Sequence, residues 1–179
     1  MKLLLKKAML YAGVIGMVLS CATDTPEREP KLSVPPVHMD HVSSVIQFGE
    51  EIAGKVNPAF EYILSDPFQW VLAAEEGTII AVVKNTGCND YEIRIQLNAD
   101  WMVIYDHVTQ PAVAPGDEVV AGQVLGKVGE GNRVELQLNA KDGTSYCPFS
   151  YASSAFIKAH KDFIQDWCIK ETVINKNEK

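Results

Sequence analysis

The chain has 179 residues, with 16 basic against 23 acidic side chains and a formal net charge of −7. Apolar residues make up 47% and charged residues 22%, enough apolar surface to offset ordering entropy, which excludes disorder as the main state. The acidic balance argues against a nucleic-acid partner, which needs basic surface to displace counterions, and the length fits one domain with an addition at one end.

Residues 1–20 begin with Lys2, Lys6 and Lys7, followed by an uncharged run from Ala8 to Leu19. At 1.5 Å per residue that run covers about 18 Å, short of the ~30 Å hydrocarbon core, so it reads as a cleaved export signal rather than a span. It ends Val18-Leu19-Ser20-Cys21. This resembles the bacterial lipoprotein signal, in which a cysteine after a small residue is acylated and becomes the new N-terminus. The expected partner of Cys21 is therefore the lipid membrane, each buried CH₂ of the acyl chains contributing ~0.8 kcal/mol. Ala22 rather than Asp follows, which by the same resemblance implies the outer membrane, facing the periplasm, in a Gram-negative source. Losing three lysines and no acids sharpens the charge from −7 to −10 over the 159 residues from Cys21.

Residues 21–36 hold four prolines and few large apolar groups, the composition of an extended tether. Residues 37–70 read as an N-terminal extension packing on the core, with turn starts at Asn57-Pro58 and Asp66-Pro67. From Val71 the pattern turns to strands. Thr78–Val83 follows a Gly turn, Glu92–Leu97 and Val134–Leu138 alternate strictly, Trp101–Tyr105 is a more continuous apolar strand, and Val124–Val128 is a short one. Gly and Asn recur between them about every ten residues, so the fold class is mainly β, a sandwich or barrel. Ala155, Phe156, Ala159, Phe163 and Trp167 then recur at i, i+3/i+4 spacing, predicting one amphipathic helix over 151–170 with a frayed tail over 171–179.

Cys88, Cys147 and Cys168 remain once Cys21 is set aside. Cys147 and Cys168 bracket the predicted helix, whose ~30 Å length exceeds the ~7 Å a disulfide tolerates, so they pair only if the helix breaks. Cys88 pairing with either, or three buried thiols, are the other arrangements, and the balance of the reading falls on free, buried cysteines. No C-x-x-C spacing offers a thiolate metal site.

The ordered set Val71-Leu72-Ala73…Gly77-Thr78-Ile79, Tyr105-Asp106-His107-Val108, Gly116-Asp117-Glu118-Val119-Val120-Ala121-Gly122-Gln123-Val124-Leu125-Gly126 and Glu135-Leu136-Gln137-Leu138-Asn139, ending at Pro148, resembles the lysostaphin-type (LytM-like) zinc endopeptidases that cut peptide cross-bridges of bacterial cell walls. The resemblance implies a LytM-like β-sandwich of the barrel-sandwich hybrid type over residues 71–150, with the C-terminal helix appended. It also implies where a site should lie. The family takes its zinc ligands from His-x-x-x-Asp and from the second His of His-x-His. Here the best register for the first is Asn57-x-x-x-Glu61, and His-x-His falls on Glu135-x-Gln137. Only His107 stands where the family has a histidine, and there it is catalytic or stabilises the transition state. Zinc hydrolysis needs three protein ligands and an open position, and Asn and Gln are poor ligands.

The resemblance thus implies the fold without the zinc. The reading that follows is a catalytically degenerate, exported lipoprotein that grips a peptidoglycan peptide or an envelope protein in a groove formed by Asn57, Glu61, Tyr105, His107, Glu135 and Gln137, with no cofactor. The alternative is an active cell-wall metalloendopeptidase with non-standard zinc ligands, in which His107 is the catalytic residue. Glu135 and Gln137 share one strand face, which alternation alone would also make a solvated face. His38, Asp40 and His41 read as solvated residues beside the tether, and His160 as an edge residue of the helix. A Cys147–His107 nucleophile pair has nothing in the sequence to bring it together. A carrier domain would need an exposed hairpin lysine and an efflux adaptor a long helical hairpin, and neither pattern occurs.

Overall fold

The structure, a computed structural model, describes residues 28–169 and 172–178. The export signal, Cys21 and the first part of the predicted tether lie outside the described residues. Among the described residues, strands run in the order β1 (Val42–Ile46), β2 (Glu51–Ile52), β3 (Lys55–Val56), β4 (Phe60–Leu64), β5 (Trp70–Leu72), β6 (Gly77–Lys84), β7 (Tyr91–Gln96), β8 (Trp101–Thr109), β9 (Glu118–Val119), β10 (Val124–Val128), β11 (Arg133–Ala140), β12 (Ser145–Tyr146) and β13 (Val173–Ile174), with helix α1 (Ser154–Lys161) between the last two. The main sheet is antiparallel and ordered β1-β4-β11-β8-β7-β6-β9. Strand β10 pairs with β5 and with the end of β8, while β2 and β3 form a separate hairpin. The mainly β architecture with one C-terminal helix is the one the alternation pattern implied. Among the described residues no helix is long and apolar enough to cross a membrane.

Four segments differ from the sequence reading, each for a packing reason. Residues 37–70 are integral to the sheet rather than an extension, because β4 lies between β1 and β11. Phe60, Tyr62 and Leu64 are buried, and Glu61 with them, so the strand carries no alternation to reveal it. The end of the predicted tether is docked: Leu32 is fully buried, its amide donates to Tyr151 and its carbonyl accepts from Ser153, while Arg28 pairs with Glu75 and Glu76. The predicted frayed tail supplies β13, with Ile174 buried against the core.

The fourth difference is the helix. Ser153 caps α1 by accepting the Phe156 amide, but the helix stops at Lys161 instead of reaching 170. The carbonyl of His160 accepts the amides of Phe163 and Ile164 and the indole N–H of Trp167, which folds the chain back. Cys168 is thereby brought to Cys147 with Cα atoms 6.1 Å apart, and the two form a disulfide. This corrects the expectation of free cysteines there; Cys88 is free and exposed. His160 is fully buried rather than at an edge, stacked on Phe156 with ring centroids 4.1 Å apart. Trp167 packs on Phe60 at 4.9 Å, and clusters of this kind cost about 3–5 kcal/mol when one large ring is truncated.

Candidate functional site: an acidic row bridged by a guanidinium

Pairing registers place three carboxylates abreast on neighbouring strands. Glu135 of β11 lies opposite Glu61 of β4 on one side and opposite Asp106 of β8 on the other. Like charges directly opposite destabilise a sheet, so such a row persists only if cations are set into it. Two are. Arg133, two residues before Glu135 and on the same face, donates from Nη2 to Glu135 Oε1 at 2.9 Å and places Nε 3.5 Å from Glu61 Oε2. His107 brings Nε2 to 3.3 Å from the same Glu135 oxygen and contacts Arg133.

A bulge in β8 delivers His107 to this row. Tyr91 pairs with Val108 but Ile93 pairs with Tyr105, so β8 carries one extra residue against β7. His107 takes up the irregularity with φ +59°, a conformation costly for a residue with a side chain and often kept at functional sites. Asp106 and His107 therefore both face the row, whereas Tyr105 and Val108 both face the core. The turn between β6 and β7 backs the arrangement. Asp90 accepts from His107 Nδ1 at 2.9 Å, and Asn85 donates to both Asp90 (2.8 Å) and Asp106 (2.6 Å). Asp106 also accepts the backbone N–H of His107.

The charges settle the protonation. The hydrogen bond to Glu135 is the largest influence on His107; burial opposes it, Asp90 and Asp106 add to it, and the pKa is pushed up to about 9. His107 is therefore an imidazolium at neutral pH, donating from Nδ1 to Asp90 and from Nε2 to Glu135. Two donors cannot share a proton, so the Arg133–His107 contact is held by the carboxylates around it rather than being a hydrogen bond in its own right. Asp90 is held below the ordinary carboxylate range: burial pushes it up, and the hydrogen bonds from Asn85 and His107 outweigh that. Glu61 is raised, first by burial and then by Glu135, with Arg133 only partly compensating. Its side chain is 8% exposed and Oε2 has no hydrogen-bond partner among the described residues.

Of the residues expected to share a groove, Glu61, His107 and Glu135 meet. A cleft of about 490 Å³ opens over Glu61, Arg133 and Glu135, walled by Ile52, Val56 and Pro58 around the β2–β3 hairpin. Asn57 is on the cleft wall, but its amide is spent on the backbone of Gln47 and Ala59. Tyr105 is not in the groove: it is fully buried and its hydroxyl accepts the Ala74 amide, because the bulge puts it on the opposite face from His107. Gln137 is also elsewhere, its amide donating to Asn139 and Ser145. The sequence reading missed Arg133, Asp90, Asp106 and Asn85. For Arg133 the signal was present, since it stands at i−2 from Glu135 on the same alternating strand; Asp90 and Asn85 reach the site through a turn that no periodicity marks.

Asp106, His107 and Glu135 offer ligand atoms within 4.8 Å of one another, the sole such group among the described residues. They do not fit zinc. The His107 ring has both nitrogens committed to carboxylates, and the Arg133 guanidinium stands against Glu135 and His107 where a dication would have to sit. His38 and Asp40 are exposed and form no cluster, and Cys147 is in the disulfide, not beside His107.

The sequence profile of peptidase family M23 matches residues 63–145. The catalytic domain of the antimicrobial peptidase lysostaphin from Staphylococcus simulans superposes with a TM-score of 0.55 at 18% identity, covering 63% of this chain and 93% of that one. A chain of the SpoIIQ–SpoIIIAH pore-forming complex gives a TM-score of 0.58 at 20% identity, covering 75% and 98%. Csd3 from Helicobacter pylori gives 0.57 at 18%, with this chain spanning 41% of its length. No curated protein sequence matches the chain. With the matched strands carrying His107 and Glu135 to one row, the chain contains a LytM-like domain whose residues 63–145 are similar to peptidase family M23.

Proposed function

We propose that this chain is an exported lipoprotein, anchored through acylated Cys21, whose M23-type domain binds a peptidoglycan peptide or an envelope protein without cleaving it. The observation that carries the reading is Arg133: the site's cation is a covalently attached guanidinium, lying among Glu61, Glu135 and His107. A guanidinium neutralises carboxylates and orients them, but it cannot lower the pKa of a bound water as a Lewis acid does. What remains is a cleft with fixed charges, suited to recognition. The similar fold in the SpoIIQ–SpoIIIAH complex supports a binding role for such domains. The sequence Leu19-Ser20-Cys21 after an uncharged run supports the anchor, and Ala22 rather than Asp after it supports the outer membrane, facing the periplasm, in a Gram-negative source.

The test is zinc analysis of the purified full chain together with incubation on cell-wall sacculi, before and after His107→Ala. Substoichiometric zinc, intact sacculi and retention of the protein on sacculi or on an envelope protein are expected. Stoichiometric zinc with His107-dependent cleavage would establish the active metallopeptidase instead. For the anchor, Cys21→Ser should move the protein from the membrane to the soluble fraction, and the N-terminal peptide of the wild type should carry acyl mass.

A further inference from the structure

The link from β4 into β5 displays two aromatic residues instead of burying them. Phe68 is 75% exposed, the most exposed large apolar side chain among the described residues, and Trp70 two positions on is 46% exposed. Hydrogen bonds hold the link in that form. Asp66 accepts the Phe68 amide at 2.9 Å and the Gln69 side-chain amide at 2.7 Å, and the Gln69 carbonyl accepts the Val128 amide of β10 at 3.0 Å. Both carboxylate oxygens of Asp66 are thereby met inside the turn, and the Lys127 ammonium stands 5.2 Å from the Trp70 ring centroid. An exposed apolar tip beside an indole and a long cation is the composition that rests at a membrane–water boundary, where the indole sits at headgroup level and the lysine stem reaches the phosphates.

The route of the chain keeps this turn near Cys21. Arg28, where the described residues begin, follows Cys21 by seven residues, so at most ~25 Å of peptide separates the two. Arg28 pairs with Glu75 and Glu76, and the residues after it are laid along β5: Ser33 and Val34 donate to the Ala74 carbonyl, and the Pro36 carbonyl accepts the Leu72 amide. This segment runs from Glu75 towards Trp70, five residues and at most ~18 Å away along the chain. A bilayer holding Cys21 therefore lies within reach of the turn, and tethering supplies the effective concentration that lets a weak contact form. We propose that Phe68 and Trp70 dock reversibly on the phospholipid surface that carries the acyl chains of Cys21, with Phe68 entering the interface, Trp70 at headgroup level and Lys127 facing the phosphates. This rests on the acylation of Cys21 proposed above and adds which face of the domain meets the bilayer. The net −10 of the chain from Cys21 gives no general attraction to anionic headgroups, so the aromatic rings carry the contact and a neutral bilayer is enough.

The experiment places the acylated full chain in phosphatidylcholine vesicles with and without brominated acyl chains and reads tryptophan emission. Trp70→Phe is the blank that separates Trp70 from Trp101 and the buried Trp167. Trp70 should lose at least half of its emission in the brominated vesicles. Phe68→Ser should remove most of that quenching and Phe68→Leu should restore it, with Tm unchanged in both because the ring is exposed. Unquenched Trp70 in the acylated chain, or quenching that survives Phe68→Ser, would overturn the proposal. So would Trp70 emission that answers to cell-wall sacculi and not to lipid, which would assign the rings to a glycan. The acyl mass of the N-terminal peptide is measured on the same samples. Acyl mass without quenching removes this inference alone. A chain without acyl mass removes the anchor, and Cys21→Ser titrated with the same vesicles then decides the surface: quenching keeps it, and none at saturating lipid overturns it.

Discussion

Gly129 and the carbonyl group of His107 are in contact with no room for a side chain between them: a Cβ at position 129 would lie 2.3 Å from the His107 oxygen and 2.8 Å from its carbonyl carbon. The residue is glycine for space, since its φ of −80° suits any residue. The bulge that turns His107 into the acidic row is thus held from behind by the bare backbone after β10. Gly129→Ala has to displace backbone rather than a flexible side-chain end. It should cost about 1–3 kcal/mol by thermal unfolding. It should also move the His107 ring resonances, which a merely global loss of stability would leave in place.

The His107 pKa of about 9 should fall towards the ordinary 6.5 when its acceptors are removed, further for Glu135→Gln than for Asp90→Asn, because the Glu135 hydrogen bond is the larger influence. An NMR titration of the ring reads this directly. A folded-state pKa above the unfolded one means that the native state holds the proton more tightly. The stabilisation is therefore complete below about pH 6.5 and is lost as pH rises through about 9. His107→Gln should flatten the stability profile in that window and lower stability on its acid side, where the stabilisation is complete.

Much of this arrangement is legible in the sequence, and the illegible part has identifiable causes. Strand β10 runs over the predicted Val124–Val128, and Glu61, His107 and Glu135 lie together across β4, β8 and β11. Alternation is a local signal that assumes two residues per pleat, so a single extra residue at Asp106–His107 moved Tyr105 from groove to core. The helical period likewise continues through Phe163 and Trp167 because both still pack on the core, although the backbone has left the helix. Leu32 and the Val173-Ile174 pair stand in polar surroundings, and nothing local marks Leu32 and Ile174 as buried.

The Cys147–Cys168 disulfide acts on the cleft through the backbone. Phe48 donates to Trp167 and accepts from Ile169, so the segment ending at Cys168 and Ile169 holds the base of the β2–β3 hairpin that walls the cleft. Closing a loop of this sequence separation is worth about 3 kcal/mol in the chain-entropy account. Reduction, or Cys147→Ser with Cys168→Ser, should lower Tm accordingly. Hydrogen exchange at the Gly49 and Asn57 amides should accelerate more than at β8, since those amides bond across the hairpin base.

His160 predicts the acid limb. Burial holds its pKa down at about 4, outweighing the Phe156 carbonyl that accepts from Nδ1, while Nε2 accepts the Tyr62 hydroxyl at 2.8 Å. The native state refuses a proton that the unfolded chain accepts below 6.5, so stability is full above that value and declines as pH falls towards 4. Tyr62→Phe leaves Nε2 buried without a donor and should cost about 1–3 kcal/mol at pH 7. The penalty should follow urea denaturation midpoints rather than any change in ligand binding, because the pair lies in the aromatic core beneath α1.

Arg133→Met tests whether the guanidinium is the site's cation. With it gone, Glu61 and Glu135 face each other in register, and His107 is the remaining positive group within the row. Arg133 is 38% exposed, so its loss should cost about 1–2 kcal/mol, between the values for surface and buried pairs. Glu61 should titrate higher still, as burial and Glu135 both disfavour its charge. The sharper readout is the response to metal. The variant presents Glu61, Glu135 and Asp106 as an oxygen-rich set beside His107, so millimolar calcium or zinc should raise its Tm while leaving the wild type unmoved. Equal metal responses in the two proteins would mean that Arg133 does not occupy the cation position, and the case against a metal in the wild-type site would fall with it.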